Sequence, residues 1–126
     1  MTALTRILII DDSSFQRKII STILSGDGHE TIFAPDGTEG LRLLVDAAPD
    51  LLVLDLLMPG VDGLEVLRLM RQDSICTPVI VLTADIQDST REQCSALGAR
   101  AFINKPVKRD ELLSAVREVL AEGKEQ

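Results

Sequence analysis

Asp11 and Asp12 stand side by side directly after the apolar run Ile7–Ile10, and Ser13 and Ser14 follow them. Two carboxylates ~4 Å apart in a medium of effective dielectric near 20 repel by roughly 4 kcal/mol. A pair placed at the end of a buried strand therefore needs water or a cation. A third carboxylate, Asp55, follows the run Leu51–Leu54; Thr83 and Ala84 follow Val79–Leu82; Lys105 and Pro106 follow Ala101–Ile103. Three carboxylates, a hydroxyl and an ammonium brought to one place suit a hard divalent cation with oxygen ligands and open water positions, which is the preference of Mg²⁺. Mg²⁺, ammonium and hydroxyl together can share the oxygens of a phosphoryl group, and a carboxylate can attack phosphorus to give an acyl phosphate. Each residue alone has an ordinary structural reading: an Asp that caps a helix, a Thr that ends a strand, a Lys in solvent. Their joint occurrence at four strand ends, in order, points to one site.

These residues meet only if the strands lie side by side. The strand candidates are Arg6–Ile10, Glu30–Phe33, Leu51–Leu54, Val79–Leu82 and Ala101–Ile103. Most are continuously apolar, as expected of parallel strands covered on both faces. Between them run amphipathic stretches: Phe15, Ile19 and Ile23; Leu41, Leu44, Val45 and Ala48; Leu64 and Leu67; Leu112, Val116, Val119 and Leu120. Asp36 with Glu39, and Asp62 with Glu65, have the spacing of an N-cap and its third helical residue. The stretch Gln87–Leu97 offers little beyond Cys94, Ala96 and Leu97 to a core and predicts a loosely held helix. Five strands alternating with five helices imply an α/β fold: a doubly wound, three-layer sandwich around a parallel sheet. In such sheets ligands bind beyond the carboxyl ends of the strands, where strand order reverses.

The 126 residues fit one domain spanning 1–126. Thirteen basic against twenty acidic residues, a net charge of −7, exclude a nucleic-acid binder that works through clustered Lys and Arg, and disfavour an anionic membrane surface. No apolar run approaches the ~20 residues of a membrane span. The charged N-terminal stretch lacks a cleavage-site pattern, so the cytosol is the expected compartment. Cys76 and Cys94 fit no zinc or redox spacing and are expected to be reduced thiols. His29, the only histidine, is read as structural, and the tail 123–126 as frayed.

With these residues in view, the sequence resembles the receiver domain of two-component response regulators over essentially its whole length. The resemblance rests on Ile7–Ser13 (ILIIDDS), Leu52–Asp55 (LVLD) with Met58-Pro59-Gly60 and Gly63, Val81–Ala84 (VLTA), and Lys105-Pro106. The stretch DDSSFQRKIIS, Asp11 to Ser21, is similar to the stand-alone chemotaxis-type members. The resemblance implies a flavodoxin-like sheet of order 2-1-3-4-5. It implies that Asp55 accepts a phosphoryl group from a histidine kinase or histidine phosphotransfer protein. It implies that Asp11, Asp12, Asp55 and the backbone carbonyl of Leu57 hold Mg²⁺. Lys105 would pair with the phosphoryl oxygens across a cis bond to Pro106, Thr83 would reach toward them, and Phe102 would be the switch aromatic. The face of helix 4, strand 5 and helix 5 would then act on a downstream protein, from a monomer or a phosphorylation-dependent dimer. Such a protein is a switch rather than a turnover enzyme. Leu57 and Asp85 occupy the positions where the family tunes phosphoryl lifetime. Leu57 cannot orient a water and Asp85 could repel or position one, so slow self-dephosphorylation is expected.

Two other classes share parts of the pattern. A flavodoxin needs a hydroxyl- and Gly-rich phosphate loop after strand 1, where Asp11 and Asp12 would repel the phosphate. A haloacid-dehalogenase-type phosphatase needs a second Asp two residues after its nucleophile, where this chain has Leu57. The alternative that stays open is a receiver module belonging to a longer regulator: a DNA-binding protein, a second-messenger enzyme or a hybrid kinase.

Overall fold

The strands of the sheet are continuous apolar runs because both of its faces are covered. The computed structural model describes residues 4–124, with the side chains of 123 and 124 excepted. In chain order the elements are β1 (Arg6–Ile10), α1 (Ser14–Gly26), β2 (Glu30–Ala34), α2 (Gly37–Asp46), β3 (Leu51–Asp55), α3 (Gly63–Gln72), β4 (Val79–Thr83), α4 (Asp88–Ala96), β5 (Ala101–Asn104) and α5 (Arg109–Lys124). All pairings are parallel, in the order β2-β1-β3-β4-β5. This is the doubly wound α/β architecture expected from the sequence. The reversal of strand order falls between β1 and β3, which places Asp11, Asp12 and Asp55 at the switch point.

Alternation along the strands divides the core into two apolar layers. Leu8, Ile10, Leu52, Leu54, Val79 and Val81 face one, together with Leu44, Val66, Leu67 and Met70 of α2 and α3. Ile7, Ile9, Leu51, Val53, Ile80 and Leu82 face the other, with Ile20 and Leu24 of α1 and Leu112 and Val116 of α5. Asp55 continues the parity of Leu51 and Val53, whereas Thr83 continues that of Val79 and Val81. The first therefore belongs to the α1/α5 side and the second to the α2/α3 side.

Three helix starts are locally encoded. Ser13, Asp36 and Asp62 each accept a hydrogen bond from the backbone N–H three residues on, at 3.2, 2.8 and 2.9 Å. The reciprocal half of a capping box is not made: Glu39 and Glu65 turn instead to Arg42 and Arg68. Gly63 is required by close approach. A Cβ there would sit 2.6 Å from Leu56 Cα and 2.9 Å from the Asp55 carbonyl oxygen. Gly60, at φ +75°, makes the turn between β3 and α3 that no β-carbon favours.

Several helix faces differ from the spacing-based expectation. In α1 the buried residues are Ile20 and Leu24, while Phe15 is 72 % exposed and Ile19 and Ile23 are only partly covered. In α2, Leu44 is buried with Gly37 and Gly40, but Val45 is exposed and Ala48 lies beyond the helix end at φ 44°. Four strands run one residue further than the sequence predicts, so Ala34, Asp55, Thr83 and Asn104 are sheet residues. Helix α5 continues through Gly123 and Lys124; the remainder of the tail expected to be frayed lies outside the described residues. As anticipated, α4 is sparsely anchored, burying Cys94 alone. Both cysteines are free. His29 sits at the far end of α1, its Nε2 3.5 Å from Asp27 Oδ2, and Asp27 is paired with Arg117.

The two glycine environments give a test of this packing. Gly63→Ala should destabilise by roughly 1–3 kcal/mol, because backbone must move to admit the methyl group. Gly26→Ala, in a helical position with nothing within 4 Å of its Cβ, should be neutral or stabilising by up to about 1 kcal/mol. Urea denaturation of the two variants beside the parent measures both.

Candidate functional site

The site is assembled by the carboxyl ends of β1, β3, β4 and β5. Oxygens of Asp11, Asp12 and Asp55 lie within 4.8 Å of one another. Asp11 and Asp55 are buried and Asp12 is exposed. Lys105 reaches in from the end of β5, its Nζ 3.1 Å from Asp55 Oδ1 and 4.0 Å from Asp11 Oδ2. Three carboxylates against one ammonium leave the cluster with a net negative formal charge of two.

Each side chain is aimed by its local backbone. Asp11 Oδ1 accepts the Ser13 N–H at 2.9 Å, so the N-cap residue of α1 also orients the carboxylate before it. Arg17 donates to the Asp11 carbonyl oxygen at 2.8 Å and lays its guanidinium 5.1 Å from the centroid of Phe33. The Leu57 N–H donates to Asp55 Oδ1 at 3.3 Å, and the Leu57 side chain points to solvent, 58 % exposed. The Lys105 N–H donates to the Thr83 carbonyl oxygen at 2.8 Å, and the Lys105–Pro106 bond is cis. Thr83 is fully buried, and its Oγ1 accepts the Asp85 N–H at 3.1 Å.

Burial is the largest influence on Asp11 and pushes its carboxyl above the ordinary range; Asp55 and Asp12 push the same way, against the Ser13 N–H and Lys105. Its Oδ2 is buried without a hydrogen-bond partner. A buried carboxylate oxygen without a donor costs free energy unless a cation or a proton takes it. Donor chemistry and orphaned oxygen both fit a hard divalent cation held by Asp11, Asp12 and Asp55.

The structure therefore brings Asp11, Asp12, Asp55 and Lys105 into one cluster, with Thr83 at the adjoining strand end. Ala84 and Pro106 border it as exposed residues. Phe102 adds no polar atom to the cluster; it is half-buried on β5, with the Arg91 guanidinium 5.1 Å from its ring centroid. Asp85 does not point a free carboxylate at the site. Its Oδ1 accepts the Gln87 N–H at 2.9 Å and its Oδ2 accepts the Thr90 hydroxyl at 2.7 Å. The Gln87 N–H first and the Thr90 hydroxyl second hold its carboxyl below the usual range. The capping and orienting part of Ser13, and the contacts of Thr90, Arg91 and Asn104, go beyond the sequence-based expectation. Only Ser13 carried a readable signal, as a hydroxyl three residues before Gln16 at a helix start.

A model described as the response regulator receiver domain matches residues 7–117. The regulatory protein AtoC of Escherichia coli (strain K12) is 38% identical over 120 residues, covering 95% of this chain and 26% of AtoC. The response regulator MprA of Mycobacterium ulcerans (strain Agy99) is 40% identical over 121 residues, covering 94% of this chain and 51% of MprA. The chain thus spans between a quarter and a half of the length of these relatives. The chemotaxis protein CheY4 of Vibrio cholerae superimposes with a TM-score of 0.87 at 30% identity, over 93% of this chain and 99% of that one. A CheY-like receiver domain from Methanospirillum hungatei JF-1 does so at 0.91 and 28% identity, over 98% of each.

The orphaned oxygen makes a prediction about the metal-free protein. A carboxyl whose pKa is raised by folding binds more protons in the native than in the unfolded state between the unfolded value and its own. Its destabilising effect is therefore relieved as pH falls through that raised value. Asp11→Asn should relieve it at neutral pH and raise the melting temperature of the metal-free protein. Millimolar Mg²⁺ should stabilise the parent by an amount that grows as RT ln(1 + [Mg²⁺]/Kd), and the same substitution should abolish that gain. Thermal melts with Mg²⁺ and with chelator read both effects.

Proposed function

Because the chain belongs to the response regulator receiver domain family, we propose that it is a phosphorylation-activated switch in which Asp55 accepts a phosphoryl group from a histidine kinase or histidine phosphotransfer protein. The observation that carries this reading is Lys105 Nζ at 3.1 Å from Asp55 Oδ1, beside the buried Asp11, with Thr83 at the end of the neighbouring strand. An Asp55 oxygen attacks phosphorus, the bond from phosphorus to the donor's imidazole nitrogen breaks, and its electron pair leaves with the imidazole. Mg²⁺ held by Asp11, Asp12, Asp55 and the Leu57 carbonyl would neutralise the carboxylates and the phosphoryl oxygens. Lys105 moves its charge from the Asp55 carboxylate to the phosphoryl oxygens. At rest the Thr83 oxygen accepts from the Asp85 N–H; turned toward the phosphoryl group, its hydroxyl can donate to a phosphoryl oxygen. Ala84 and Pro106 shape the rim, and Phe102 follows Thr83, altering the face of α4, β5 and α5 that a downstream protein reads.

The phosphoryl state is long-lived in this reading. The Leu57 side chain has no hydrogen-bonding group, and the Asp85 carboxylate is taken up by Gln87 and Thr90, so neither aligns an attacking water. The protein is a phosphoacceptor rather than a turnover enzyme. It acts in the cytoplasm on a protein target, without direct nucleic-acid or membrane binding, as a monomer or a phosphorylation-dependent dimer. No helix among the described residues is long and apolar enough to cross a membrane. Residues 1–126 are read as a single receiver domain. That this domain is part of a longer regulator is favoured by one observation: AtoC and MprA extend well beyond the matched region.

Incubation with a small-molecule phosphodonor should add one phosphoryl group to the intact mass, with Mg²⁺ but not with chelator, and not in Asp55→Asn. An adduct that persists in Asp55→Asn would assign the phosphoryl group elsewhere. Leu57→Asn should shorten the lifetime of the adduct several-fold, followed as its loss after the donor is removed; an unchanged lifetime would mean that Leu57 does not limit hydrolysis.

A further inference from the structure

The first turn of α4 is held from outside the helix. Its N-cap residue, Gln87, makes no side-chain cap, and the helix buries only Cys94. What anchors it is Asp85, two residues before the cap. The Asp85 carboxylate takes the Gln87 N–H on one oxygen and the Thr90 hydroxyl on the other. The Asp85 N–H is committed to Thr83 Oγ1, and the Asp85 carbonyl oxygen accepts the side-chain amide of Asn104 on β5 at 3.1 Å. Every polar group of this one residue is thus engaged: with the end of β4, with β5 and with the first turn of α4. Arg91, next to Thr90, places its guanidinium 5.1 Å from the Phe102 ring centroid.

We propose that Asp85 is a positioning residue that holds Thr83 and the first turn of α4 together in the resting arrangement, with Arg91 pinning Phe102 from the same turn. The proposal rests on the reading that Thr83 follows a phosphoryl group on Asp55. For Thr83 Oγ1 to turn toward that group it must leave the Asp85 N–H, and a donor beside the buried strand end then needs a new partner. The loop must shift to supply one. Its carboxylate draws on the Gln87 N–H and Thr90, and the turn that carries Thr90 also carries Arg91. Motion of one hydroxyl is therefore passed through Asp85, by its N–H on one side and by its carboxylate bonds to Gln87 and Thr90 on the other, to the turn whose Arg91 covers the aromatic ring. Few buried side chains oppose the movement, because α4 has so little else to hold it. In this chain Thr83 and Phe102 are linked through the helix surface and not only through the packing between β4 and β5.

The test uses the three phenylalanines, Phe15, Phe33 and Phe102, as reporters. Protein labelled with 4-fluorophenylalanine gives one fluorine resonance for each, and Phe102 is assigned by its loss in Phe102→Leu. Without phosphodonor, Thr90→Val and Arg91→Met should displace the Phe102 resonance toward its position in the phosphorylated parent. Thr90→Ser, which restores the hydroxyl, should leave it in place. Thr90→Val should also take a phosphoryl group from a small donor faster, by roughly two- to tenfold, the factor set by the net strength of one hydrogen bond. A Phe102 resonance and a phosphorylation rate that stay at parental values in Thr90→Val would overturn the relay. Thr90 is only half-buried and Arg91 is exposed, so both variants are expected to fold. Should the parent itself take no phosphoryl group, the receiver reading fails separately. The resting spectra of Thr90→Val and Thr90→Ser still decide the relay: a displacement reversed by Ser supports it, and none refutes it.

Discussion

Everything at the carboxyl edge of this sheet is arranged around the mutual repulsion of Asp11, Asp12 and Asp55. Parallel strand order forces the ends of β1 and β3 together, and the carboxylates with them. The protein does not separate them. It supplies a single ammonium, Lys105, and leaves one buried oxygen of Asp11 without a donor. Such a cluster is costly in isolation. It is tolerated because the strands beneath are fully buried and amply favourable: Ile7–Ile10 and Leu51–Leu54 have no exposed surface, and burying each such side chain contributes roughly 1.5–3 kcal/mol. The apolar core sustains a site whose local electrostatics oppose folding until a cation completes it.

The same division between what the core fixes and what it leaves loose runs through the helices. α1 buries Ile20 and Leu24 against the sheet and α5 buries Leu112, Leu113, Val116 and Val119, whereas α4 buries one thiol. That thiol, Cys94, is pushed up in pKa by burial and by the nearby Asp85, which makes it a packing group rather than a nucleophile. Where apolar anchoring is thin, polar contacts carry the position of the helix, and these connect directly to the residues beside the acidic cluster.

The strands and their order were legible because both faces of the sheet are covered, so each strand is written as an unbroken apolar run. The starts of α2 and α3 were legible because capping is a local interaction. The cluster itself was legible because residues that follow strands in a parallel sheet must share one edge. What the sequence hid has a physical cause in each case. Phe15, Ile19 and Ile23 form a regular stripe, but Ile20 and Leu24 lie beside it on the helix, and only docking against the sheet decides which stripe is buried. Asp55 and Thr83 look like loop residues because they are polar, yet both are still in the ladder. Asp85 reads as a free carboxylate, because the turn that folds the Gln87 N–H and the Thr90 hydroxyl back onto it has no recognisable spacing, and because Asn104, which fixes its carbonyl oxygen, comes from β5.

The alternation of the strands puts Asp55 and Thr83 on opposite sides of the sheet, one with the α1/α5 layer and the other with the α2/α3 layer. The sheet is thus a partition between two compartments, and its interior is close-packed aliphatic material with no polar passage among its fully buried strands. Polar contacts between the two sides run around the rim, where Lys105 holds Asp55 by its Nζ and the Thr83 carbonyl oxygen by its N–H, and Asn104 holds the Asp85 carbonyl oxygen. Repacking of either apolar layer then alters how firmly the partition stands, while the traffic between the compartments depends on a few rim residues. Under the proposed switch reading, stability and signalling fall to different parts of one small domain, and sequence change can act on the one with little effect on the other.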